Sequence, residues 1–431
     1  MSNLTKVKLG DILDVKRGMS LSGEYYSTNG SLIRLTLGNF TYPECGFKNN
    51  TSKSDIYFVG PVKEDFIMKK GDIITPLTEQ VRGLLGNTAT IPANDTYIQS
   101  GDIGKIIPNE KLLNKRFAFY LISSPTVKYQ LDSASQQTKI RHTSPDKIKD
   151  CVAFLPNLDY QIKVSNLLDN LNNKIETNNK TIQALESLAK TIYDYWFLQF
   201  EFPNEEGKPY KSSGGKMDWN DELKREIPEG WRYEELQSKI CLTKGISYTS
   251  KNIVTGEGIP MINLASIDIN RNYKPNELKY FDGDVNESKK CKTFDLLIAC
   301  TDLTRNADII GSPILVTNDY DEFTYSMDLV KLETHDNNLN PMYLYGTLRT
   351  DFYHNYIKGF ASGTNVLHLN TKGIEWYKCV IPTMNIQNKY SDLIKNIHLK
   401  KCELIKENQE LASLRDFLLP MLMNGQVTFR V

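Results

Sequence analysis

The sequence contains no long apolar run and no export signal. No stretch of about 18 consecutive apolar residues occurs, which is the length that a membrane-spanning helix needs. The first six residues lack the apolar core of a secretory signal. We therefore expect a cytoplasmic protein that has no membrane partner.

Cysteine and histidine are absent from the patterns that metal binding and disulfide bonding require. The seven cysteines form no Cys-x-x-Cys pair, and the five histidines have no metal-ligand spacing. An odd, scattered set of cysteines is typical of a reducing compartment. Cys291 and Cys300 flank an apolar run, so we expect buried core thiols there and no metal site.

An excess of positive charge is also absent. The 52 Lys and Arg residues balance the 52 Asp and Glu residues, so the net charge is zero. This balance argues against a protein that coats DNA through bulk charge. Sequence-specific binding stays open, because a local basic face is enough to contact phosphates.

Motifs for nucleotide hydrolysis and DNA cleavage are missing. No glycine-lysine loop of the Walker type occurs, so we expect no ATP site. Asp72 and Asp295 each precede an apolar run, but neither is followed by the nearby lysine of a metal-dependent nuclease.

One tetrapeptide resembles a methyltransferase motif. Residues 340–343, Asn-Pro-Met-Tyr, are similar to the Asn-Pro-Pro-Tyr segment that holds a flipped adenine. Met342 replaces the second proline, however, and no glycine-rich cofactor loop precedes the motif. We interpret Asn340 as a helix N-cap with Pro341 in the first turn.

What the sequence does contain is an internal repeat of about 226 residues. Residues 9–18 match residues 236–245, and further matched positions occur as far as Leu188 and Leu414. A period of this length indicates a duplicated unit of one domain and one helix rather than a solenoid. The matched positions later in each half are Pro156, Gln161, Leu168, Leu185 and Leu188 with Pro382, Gln387, Ile394, Leu411 and Leu414.

Each half has the same order of predicted elements. Short apolar runs bounded by Gly, Pro and Asn predict strands over residues 31–37, 72–75, 105–107, 259–264, 296–300 and 314–316. Helices are predicted over 115–122 and 342–350, and further strands over 151–155 and 379–381. The fold class that follows is α+β, with two homologous mixed α/β domains.

Two long helices complete the repeat. From Val164, apolar residues recur at steps of four and three as far as Trp196, with one interruption at Asn178. A second heptad seam runs from Ile394 to Leu422 and includes three polar residues, Lys401, Asn408 and Arg415. Sustained heptads predict a coiled coil, in which polar seam residues determine register. We expect the two helices to pack together as an antiparallel coiled coil that separates the domains; the alternative is a coiled coil formed with a partner or with a second copy of the chain.

These patterns divide the chain into five segments. Residues 1–156 form the first domain and 157–198 the first helix, whereas 231–382 form the second domain and 383–425 the second helix. Residues 199–230 are rich in Gly, Pro, Ser and charge, which is typical of a linker.

The chain resembles the specificity subunit of type I restriction-modification systems. The most specific stretch comprises Tyr195-Trp196-Phe197, Phe202-Pro203, residues 207–210 and 214–217, and residues 227–231, Ile-Pro-Glu-Gly-Trp. The order of domain, helix, domain and helix is equally characteristic of that family.

The resemblance implies a non-catalytic DNA-recognition and scaffold subunit. Each domain would be a target-recognition domain that reads half of a bipartite site in double-stranded DNA. The helices would set the unread spacer and dock two modification (methyltransferase) subunits, and restriction (motor and nuclease) subunits would join them. S-adenosylmethionine would bind the modification subunit, and ATP and Mg²⁺ the restriction subunit, so no cofactor is expected on this chain.

Candidate DNA-contacting residues are cationic, amide and hydroxyl side chains in loops at equivalent places of the two halves. The main candidates lie in the loops 133–142 and 358–368, and the others follow earlier predicted elements. The full set is Lys16, Arg17, Arg34, Gln80, Arg82, Gln136, Gln137, Lys139 and Arg141 in the first half, and Lys244, Asn263, Arg305, Thr364, Asn365 and His368 in the second.

Apolar residues near the helix ends are candidates for partner binding, because a large apolar cluster has to be covered, either by a partner or by the linker segment itself. They are Ile192, Tyr195, Trp196, Phe197, Leu418 and Leu422. Two other functions stay open at this point: a catalytic DNA methyltransferase or fused restriction enzyme fragment, and an orphan or decoy module that recruits a host methyltransferase.

Overall fold

The computed structural model describes residues 4–79, 82–134, 141–304, 306–335, 338–427 and 429. The chain divides into two units. Unit 1 combines Met1–Ile175 with Glu410–Val431, and unit 2 is the continuous stretch Glu176–Gln409. Both divisions fall inside the long helices, so each helix contributes residues to both units.

Unit 1 is built on small sheets that enclose an apolar core. Its strands are β1 Thr5–Lys8, β2 Leu13–Arg17, β3 Tyr26–Ser27, β4 Leu32–Arg34, β5 Tyr57–Phe58, β6 Ile73–Pro76, β7 Thr78–Glu79, β8 Ala89–Thr90, β9 Tyr97–Ile98, β10 Ile103–Pro108, β11 Arg141–His142 and β12 Val152–Leu155. The main sheet has the order β2-β10-β6-β8, and a second sheet has the order β3-β5-β4-β9. Two further pairs, β1-β12 and β7-β11, complete the unit.

The helices of unit 1 follow the sheets along the chain. They are α1 Lys115–Ile122, α2 Pro125–Ala134, α3 Pro145–Asp150 and the first part of α4 Leu158–Tyr193. One face of α1 packs into the core with Leu9 and Ile73. The same core contains Leu422 and Met423 from the far end of the chain.

Unit 2 repeats this architecture and extends it. Its strands are β13 Met217–Asn220, β14 Arg225–Pro228, β15 Arg232–Glu235, β16 Ile240–Lys244, β17 Ile253–Val254, β18 Ile259–Ile262, β19 Lys279–Phe281, β20 Lys290–Cys291, β21 Leu296–Ala299, β22 Thr301–Asp302, β23 Pro313–Leu315, β24 Phe323–Tyr325, β25 Leu329–Thr334, β26 Ala361–Ser362, β27 Leu367–Leu369 and β28 Lys378–Ile381. The main sheet, β16-β25-β21-β23, and the pair β15-β28 correspond to those of unit 1. The sheets β17-β19-β18-β24-β20 and β22-β27-β26 each add one strand to their counterparts. The internal repeat is therefore confirmed strand by strand.

The helices of unit 2 also correspond to those of unit 1. They are α5 Pro341–Leu348, α6 Asp351–Lys358, α7 Lys372–Glu375 and α8 Met384–Met423. The prediction for α1 has the same limits as the observed helix, and the prediction for α5 is displaced by one or two residues. Asn340 is the N-cap of α5, and its side chain accepts a hydrogen bond from the Met342 amide at 2.9 Å. The interpretation of the methyltransferase-like tetrapeptide as a helix start is confirmed.

A buried glutamine joins the first turn of each long helix to its domain. Gln161 accepts from the Asn114 amide at 2.8 Å and donates to the Leu112 and Pro156 carbonyls. Gln387 makes the same three bonds, with the Asn340 amide and with the carbonyls of Asn338 and Pro382. Both glutamines are fully buried. The matched glutamines of the repeat thus hold each helix in place by satisfying buried backbone groups.

Polar residues pair across the helix seam. In unit 2, Lys401 Nζ lies 2.6 Å from Glu186 Oε1, and Asn408 Nδ2 donates to Asn179 Oδ1 at 2.9 Å. Lys401 lies seven residues before Asn408 in α8, whereas its partner Glu186 lies seven residues after Asn179 in α4. The two helices therefore run antiparallel. Asn178 is 2% exposed and donates to Asn408 Oδ1 at 2.9 Å.

The same arrangement occurs in unit 1. Arg415 donates to Asn172 Oδ1 at 3.2 Å, and the Tyr160 hydroxyl donates to the Leu422 carbonyl at 3.2 Å. Asn172 lies after Tyr160 in α4, whereas its partner Arg415 lies before Leu422 in α8, so the helices are antiparallel here too. Within each unit, the predicted antiparallel coiled coil is confirmed, and its polar seam residues pair with polar residues.

Residues 199–230 differ from the expected linker. Phe200, Phe202 and Ile227 are buried in the core of unit 2, and β13 pairs with β14 as a hairpin. Phe202 stacks on Trp231 with ring centroids 5.0 Å apart. The segment is part of the packed domain, because Phe200, Phe202 and Ile227 all join the core cluster that contains Trp231.

Two remaining expectations concern thiols and membranes. Cys291 and Cys300 are buried thiols, as predicted. Among the helices of the described residues, none combines the length and the apolar character that crossing a membrane requires.

Candidate nucleic-acid interface

Backbone pairing joins the predicted DNA-contacting loops of unit 1 at one edge. Arg141 lies opposite Glu79 and His142 opposite Thr78 in the β7-β11 pair. The Leu77 amide donates to the Asp102 carbonyl at 2.7 Å. We call this edge rim 1 and define it by residues 17–18, 77–79, 100–102 and 141–143.

Unit 2 has the equivalent edge. His368 lies opposite Thr301, and Leu367 lies opposite Asp302. The Cys300 amide donates to the Asp328 carbonyl at 2.7 Å, which corresponds to the bond between Leu77 and Asp102. We call this edge rim 2 and define it by residues 244–245, 300–302, 326–328 and 367–369.

A glycine allows two segments of each rim to approach closely. A Cβ atom on Gly18 would lie 2.2 Å from the Ser100 carbonyl oxygen, and one on Gly245 would lie 2.2 Å from the Ser326 carbonyl oxygen. Both contacts are far inside van der Waals distance. The repeat therefore retains glycine at this position because no side chain fits there.

A buried carboxylate supports the turn behind each rim. Glu79 Oε2 accepts from the amides of Gly83 and Leu85, both at 3.0 Å. Asp302 Oδ2 accepts from the amides of Ile309 and Ile310 at 2.7 and 2.9 Å. Backbone amides satisfy these charges, so the two acids shape the turns that carry the rim residues.

Rim 1 also has an ionic network that extends outward. Arg141 Nη1 lies 3.0 Å from Glu79 Oε1 and 2.5 Å from Asp132 Oδ1. Arg82 Nη2 lies 3.0 Å from Asp132 Oδ2, and the Arg82 side chain is 80% exposed. The hydrogen bonds from Arg82 and then from Arg141 hold the pKa of Asp132 below its usual value. Asp132 thus stays ionised between an inner and an outer arginine.

Seven predicted DNA contacts are exposed at or beside the rims. Arg17 donates through Nε to the Gly101 carbonyl at 2.7 Å, which holds the start of its side chain on rim 1. Three residues lie on the hairpin formed by β26 and β27. The exposed set is Lys16, Arg17, Arg82, Lys244, Thr364, Asn365 and His368.

Three other predicted DNA contacts have structural partners instead. Arg34 is 7% exposed, pairs with Asp55 and lies 3.9 Å from the Tyr26 ring centroid. Asn263 is 3% exposed, and its side chain accepts from the Ala265 amide at 3.0 Å as an N-cap. Arg141 is held between two carboxylates. Sequence alone did not separate these residues from exposed ones, because burial depends on the partners that the fold supplies.

The remaining five candidates lie outside the described residues. They are Gln80, Gln136, Gln137, Lys139 and Arg305.

The predicted partner-binding residues divide in the same way. Trp196 and Phe197 lie in the core of unit 2, and Leu422 lies in the core of unit 1. Their own unit covers them, so of the two covers that the sequence left open, a partner subunit or the protein itself, the second applies to these three. Ile192, Tyr195 and Leu418 remain at least partly accessible.

The accessible residues belong to a stripe that sequence reasoning did not assemble. Near the end of each long helix, apolar residues recur at steps of three, four and three, and the last of them in unit 2 lies in the π-helical turn Asp194–Leu198 that follows α4. We call these positions the terminal stripes: Leu185, Leu188, Ile192 and Tyr195 in unit 2, and Leu411, Leu414, Leu418 and Met421 in unit 1. Leu188 and Leu414 are 48% and 45% exposed. The repeat offset contained the signal, since every stripe position has its twin 226 residues away.

Asp132 was also missed, although the repeat could have identified it. Counting from the N-caps of α2 and α6, its counterpart in unit 2 is Lys358. A carboxylate beside rim 1 therefore corresponds to an ammonium group at the matching sequence position of unit 2. The rims offer hydrogen-bond donors and cations, which suit phosphates and base edges. Among the described residues, no group of three His, Cys, Asp or Glu side chains is placed to hold a metal ion.

Comparison with known proteins gives one family. The model of the type I restriction modification DNA specificity domain matches residues 1–187. The chain is 23% identical over 414 residues to the type I restriction enzyme HindI specificity subunit of Haemophilus influenzae, covering 84% of this chain and 87% of that protein. It is 24% identical over 332 residues to the MjaIX specificity subunit of Methanocaldococcus jannaschii, covering 75% and 71%.

A solved structure has the same fold. The S subunit of a type I restriction-modification system from M. genitalium aligns with a TM-score of 0.58 and 16% identity. The alignment covers 98% of this chain and 96% of that subunit.

Proposed function

We propose that this chain, which belongs to the family of type I restriction-modification specificity subunits, is the non-catalytic subunit that recognises DNA by sequence. Rim 1 reads one half of a bipartite site and rim 2 reads the other half. The observation that carries this proposal is that the two rims have the same backbone arrangement but different side chains. Arg141 and Asp132 in unit 1 are matched by Leu367 and Lys358 in unit 2, as two different half-sites would require.

The chemistry of the rims supports base reading over charge coating. Arg17, Arg82 and Lys244 offer cations, and Thr364, Asn365 and His368 offer short polar groups close to a rigid hairpin. Such a mixture contacts phosphates and base edges together. The net charge of zero confines positive charge to local surfaces, which favours a protein whose affinity depends on sequence.

The position of Asn340 disfavours the methyltransferase alternative. Its Oδ1 caps α5, and its Nδ2 donates to Asn388 Oδ1 at 3.0 Å. Both polar atoms of the side chain are engaged within the protein, which favours the helix-capping role over binding of a flipped base. Methyl transfer and DNA cleavage would thus belong to partners: S-adenosylmethionine would bind the modification subunit, and ATP and Mg²⁺ the restriction subunit.

The terminal stripes support two docking sites for one kind of partner. Both stripes have the same spacing, each belongs to a different unit, and each contains one leucine that is nearly half exposed. A partner helix packs on residues at such helical spacing. Two matched stripes fit two copies of the modification subunit.

The paired polar residues of the seam support a role of α4 and α8 in spacing. Lys401, Asn408 and Arg415 lie seven residues apart in α8, and their partners Glu186, Asn179 and Asn172 lie seven residues apart in α4. The seam therefore has one favoured register within each unit. A fixed register gives the unread spacer of the DNA site a fixed length.

Methylome mapping tests the proposed function directly. Cells that carry the modification subunit are compared with and without this chain, and we expect methylation at one bipartite sequence only when the chain is present. Adding one heptad to both helices adds about 10 Å of helix. We expect this to lengthen the spacer by about three base pairs and to leave both half-sites unchanged. Methylation without a shared sequence, or altered half-sites after the insertion, would contradict the proposal.

A further inference from the structure

We propose that Asp132 is a specificity-determining residue of rim 1, which restrains Arg82 so that this arginine contacts a matching base edge more readily than a phosphate. The inference rests on the proposed function, because it concerns how rim 1 distinguishes DNA sequences. It starts from the ionic network of Glu79, Arg141, Asp132 and Arg82.

The two arginines of the network differ in how firmly they are held. Arg141 is 14% exposed and has two carboxylates within 3.0 Å, and its Nη2 also donates to the Asp132 carbonyl at 2.6 Å. Arg82 is 80% exposed, and its guanidinium pairs with Asp132 at 3.0 Å. Arg141 is therefore part of the frame, whereas an exposed ion pair such as that of Arg82 exchanges easily.

The backbone of Arg82 is fixed although its side chain is exposed. The Arg82 carbonyl accepts from the Tyr42 hydroxyl at 2.9 Å, and the next residue, Gly83, has a φ of 98°. Glu79 holds the Gly83 amide at 3.0 Å. The guanidinium consequently swings from a fixed point beside the rim.

Asp132 affects the two kinds of DNA contact differently. A phosphate that approaches Arg82 brings a negative charge close to the Asp132 carboxylate, and the two anions repel each other. The edge of a guanine offers two acceptors to an arginine without a net charge. Asp132 therefore disfavours the contact between Arg82 and a phosphate, which every DNA sequence provides. It does not oppose the contact between Arg82 and a guanine edge, which only a matching sequence provides.

Unit 2 provides an internal comparison. The position equivalent to Asp132 is Lys358, whose cation attracts phosphate. The restraint is accordingly a property of unit 1, and discrimination at the half-site of rim 2 does not depend on it.

The test uses the full chain with its modification subunit. Binding is measured by fluorescence anisotropy on three duplexes: the mapped site, the site with half-site 1 scrambled, and the site with half-site 2 scrambled. For Asp132→Asn we expect about fivefold tighter binding to the duplex with half-site 1 scrambled, and a salt dependence that is steeper by about one counterion. We expect less than a twofold change on the intact site and no selective change on the third duplex.

A double-mutant cycle separates this restraint from general repulsion. In an Arg82→Ala background, Asp132→Asn should have no effect on any duplex, because the arginine that it restrains is gone. The matched control is Asp150→Asn, which removes another exposed carboxylate of unit 1, paired with Lys8 at 3.2 Å and away from rim 1. Hydrogen exchange of β7 and β11 checks that Arg141 keeps its place on Glu79.

Each other outcome has a definite meaning. An Asp132→Asn effect that persists without Arg82, or binding that is unchanged or weaker on the duplex with half-site 1 scrambled, contradicts this inference alone. A wild-type complex that binds all three duplexes equally contradicts the proposed function, and the inference with it.

Discussion

Gln161 in unit 1 and Gln387 in unit 2 make the same three hydrogen bonds, whereas Asp132 in unit 1 is matched by Lys358 in unit 2. The first pair is fully buried and belongs to the frame, and the second pair lies beside the rims. After duplication, a buried polar group retains its partners because an orphaned hydrogen bond is costly. A residue beside a rim has no such constraint and can follow the DNA sequence that its unit reads.

The strongest test of the shared frame is the glycine at each rim. We expect Gly18→Ala and Gly245→Ala each to destabilise its own unit by about 3 kcal/mol or more, since the added methyl group meets a backbone oxygen that cannot move aside. All four tryptophans, Trp196, Trp219, Trp231 and Trp376, belong to unit 2. Tryptophan emission during urea unfolding therefore reports on unit 2, and hydrogen exchange of β2 and β10 reports on unit 1.

The control for this pair is Gly101→Ala. A Cβ atom at Gly101 would lie 3.6 Å from the Met19 carbonyl oxygen, which is ordinary contact. Its cost should be well under that at Gly18, although both residues belong to rim 1. Equal costs at Gly18 and Gly101 would show that the close approach is not what preserves glycine in the repeat.

A second test concerns a difference between the cores. Burial lowers the pKa of His398 in unit 2 to about 4, and its counterpart in unit 1 is Asn172. In the unfolded chain His398 binds a proton near pH 6.5, whereas in the folded chain it stays neutral until the pH falls to about 4. The contribution of this site to stability is thus complete above pH 6.5, falls as the pH drops from 6.5 to about 4, and is constant below that.

We expect His398→Asn, which introduces the residue of unit 1, to remove this part of the pH dependence. The change amounts to at most about 3 kcal/mol of unfolding free energy over the window. It is measured by urea unfolding with tryptophan emission at a series of pH values. His368, which is exposed in unit 2 and is therefore covered by the same tryptophan readout, serves as the control through His368→Asn. If the unfolding free energy of His398→Asn still fell between pH 6.5 and 4 as steeply as that of the original chain, the lowered pKa of His398 would be contradicted.

The smallest expected effect tests whether the terminal stripes are alike. Leu188→Asp and Leu414→Asp each place a charge at a nearly half-exposed leucine, so the free chain should keep its stability. If one kind of partner docks on both stripes, each variant should lose about tenfold in affinity for one modification subunit and keep the other. Isothermal titration of each variant measures the two sites, and Leu198→Asp, exposed beyond the stripe in unit 2, is the control. A loss in only one of the two variants would break the proposed equivalence.

Sequence predicted the parts of the fold that depend on local pattern. The limits of α1, the strands within 103–108 and 296–299 and the heptads of the long helices all follow from spacing that a single segment contains. The repeat added long-range information, because Asn340 lies 226 residues after Asn114, which is the N-cap of α1, and so is expected to be a helix N-cap too.

The rest depends on partners that are distant in the sequence. Phe200, Phe202 and Ile227 are too widely separated to give a periodic pattern, yet they meet Trp231 in one cluster. Arg141 has the composition of a DNA contact, but its side chain is occupied by Glu79 and Asp132. Composition predicted which residues can bind DNA, and only the fold determines which of them are free of internal partners.

Unit 1 is built from two separate stretches of the chain, and this has a consequence for synthesis on the ribosome. Unit 2 is one continuous stretch, so all of its residues exist before residue 410 is made. Unit 1 begins first, but Tyr160 cannot donate to Leu422 and Val427 until the end of α8 has emerged. The half of the protein that is translated first is therefore the half that folds to completion last. A chain that ends at residue 409 contains every residue of unit 2, whereas the core of its unit 1 still lacks Leu422 and Met423.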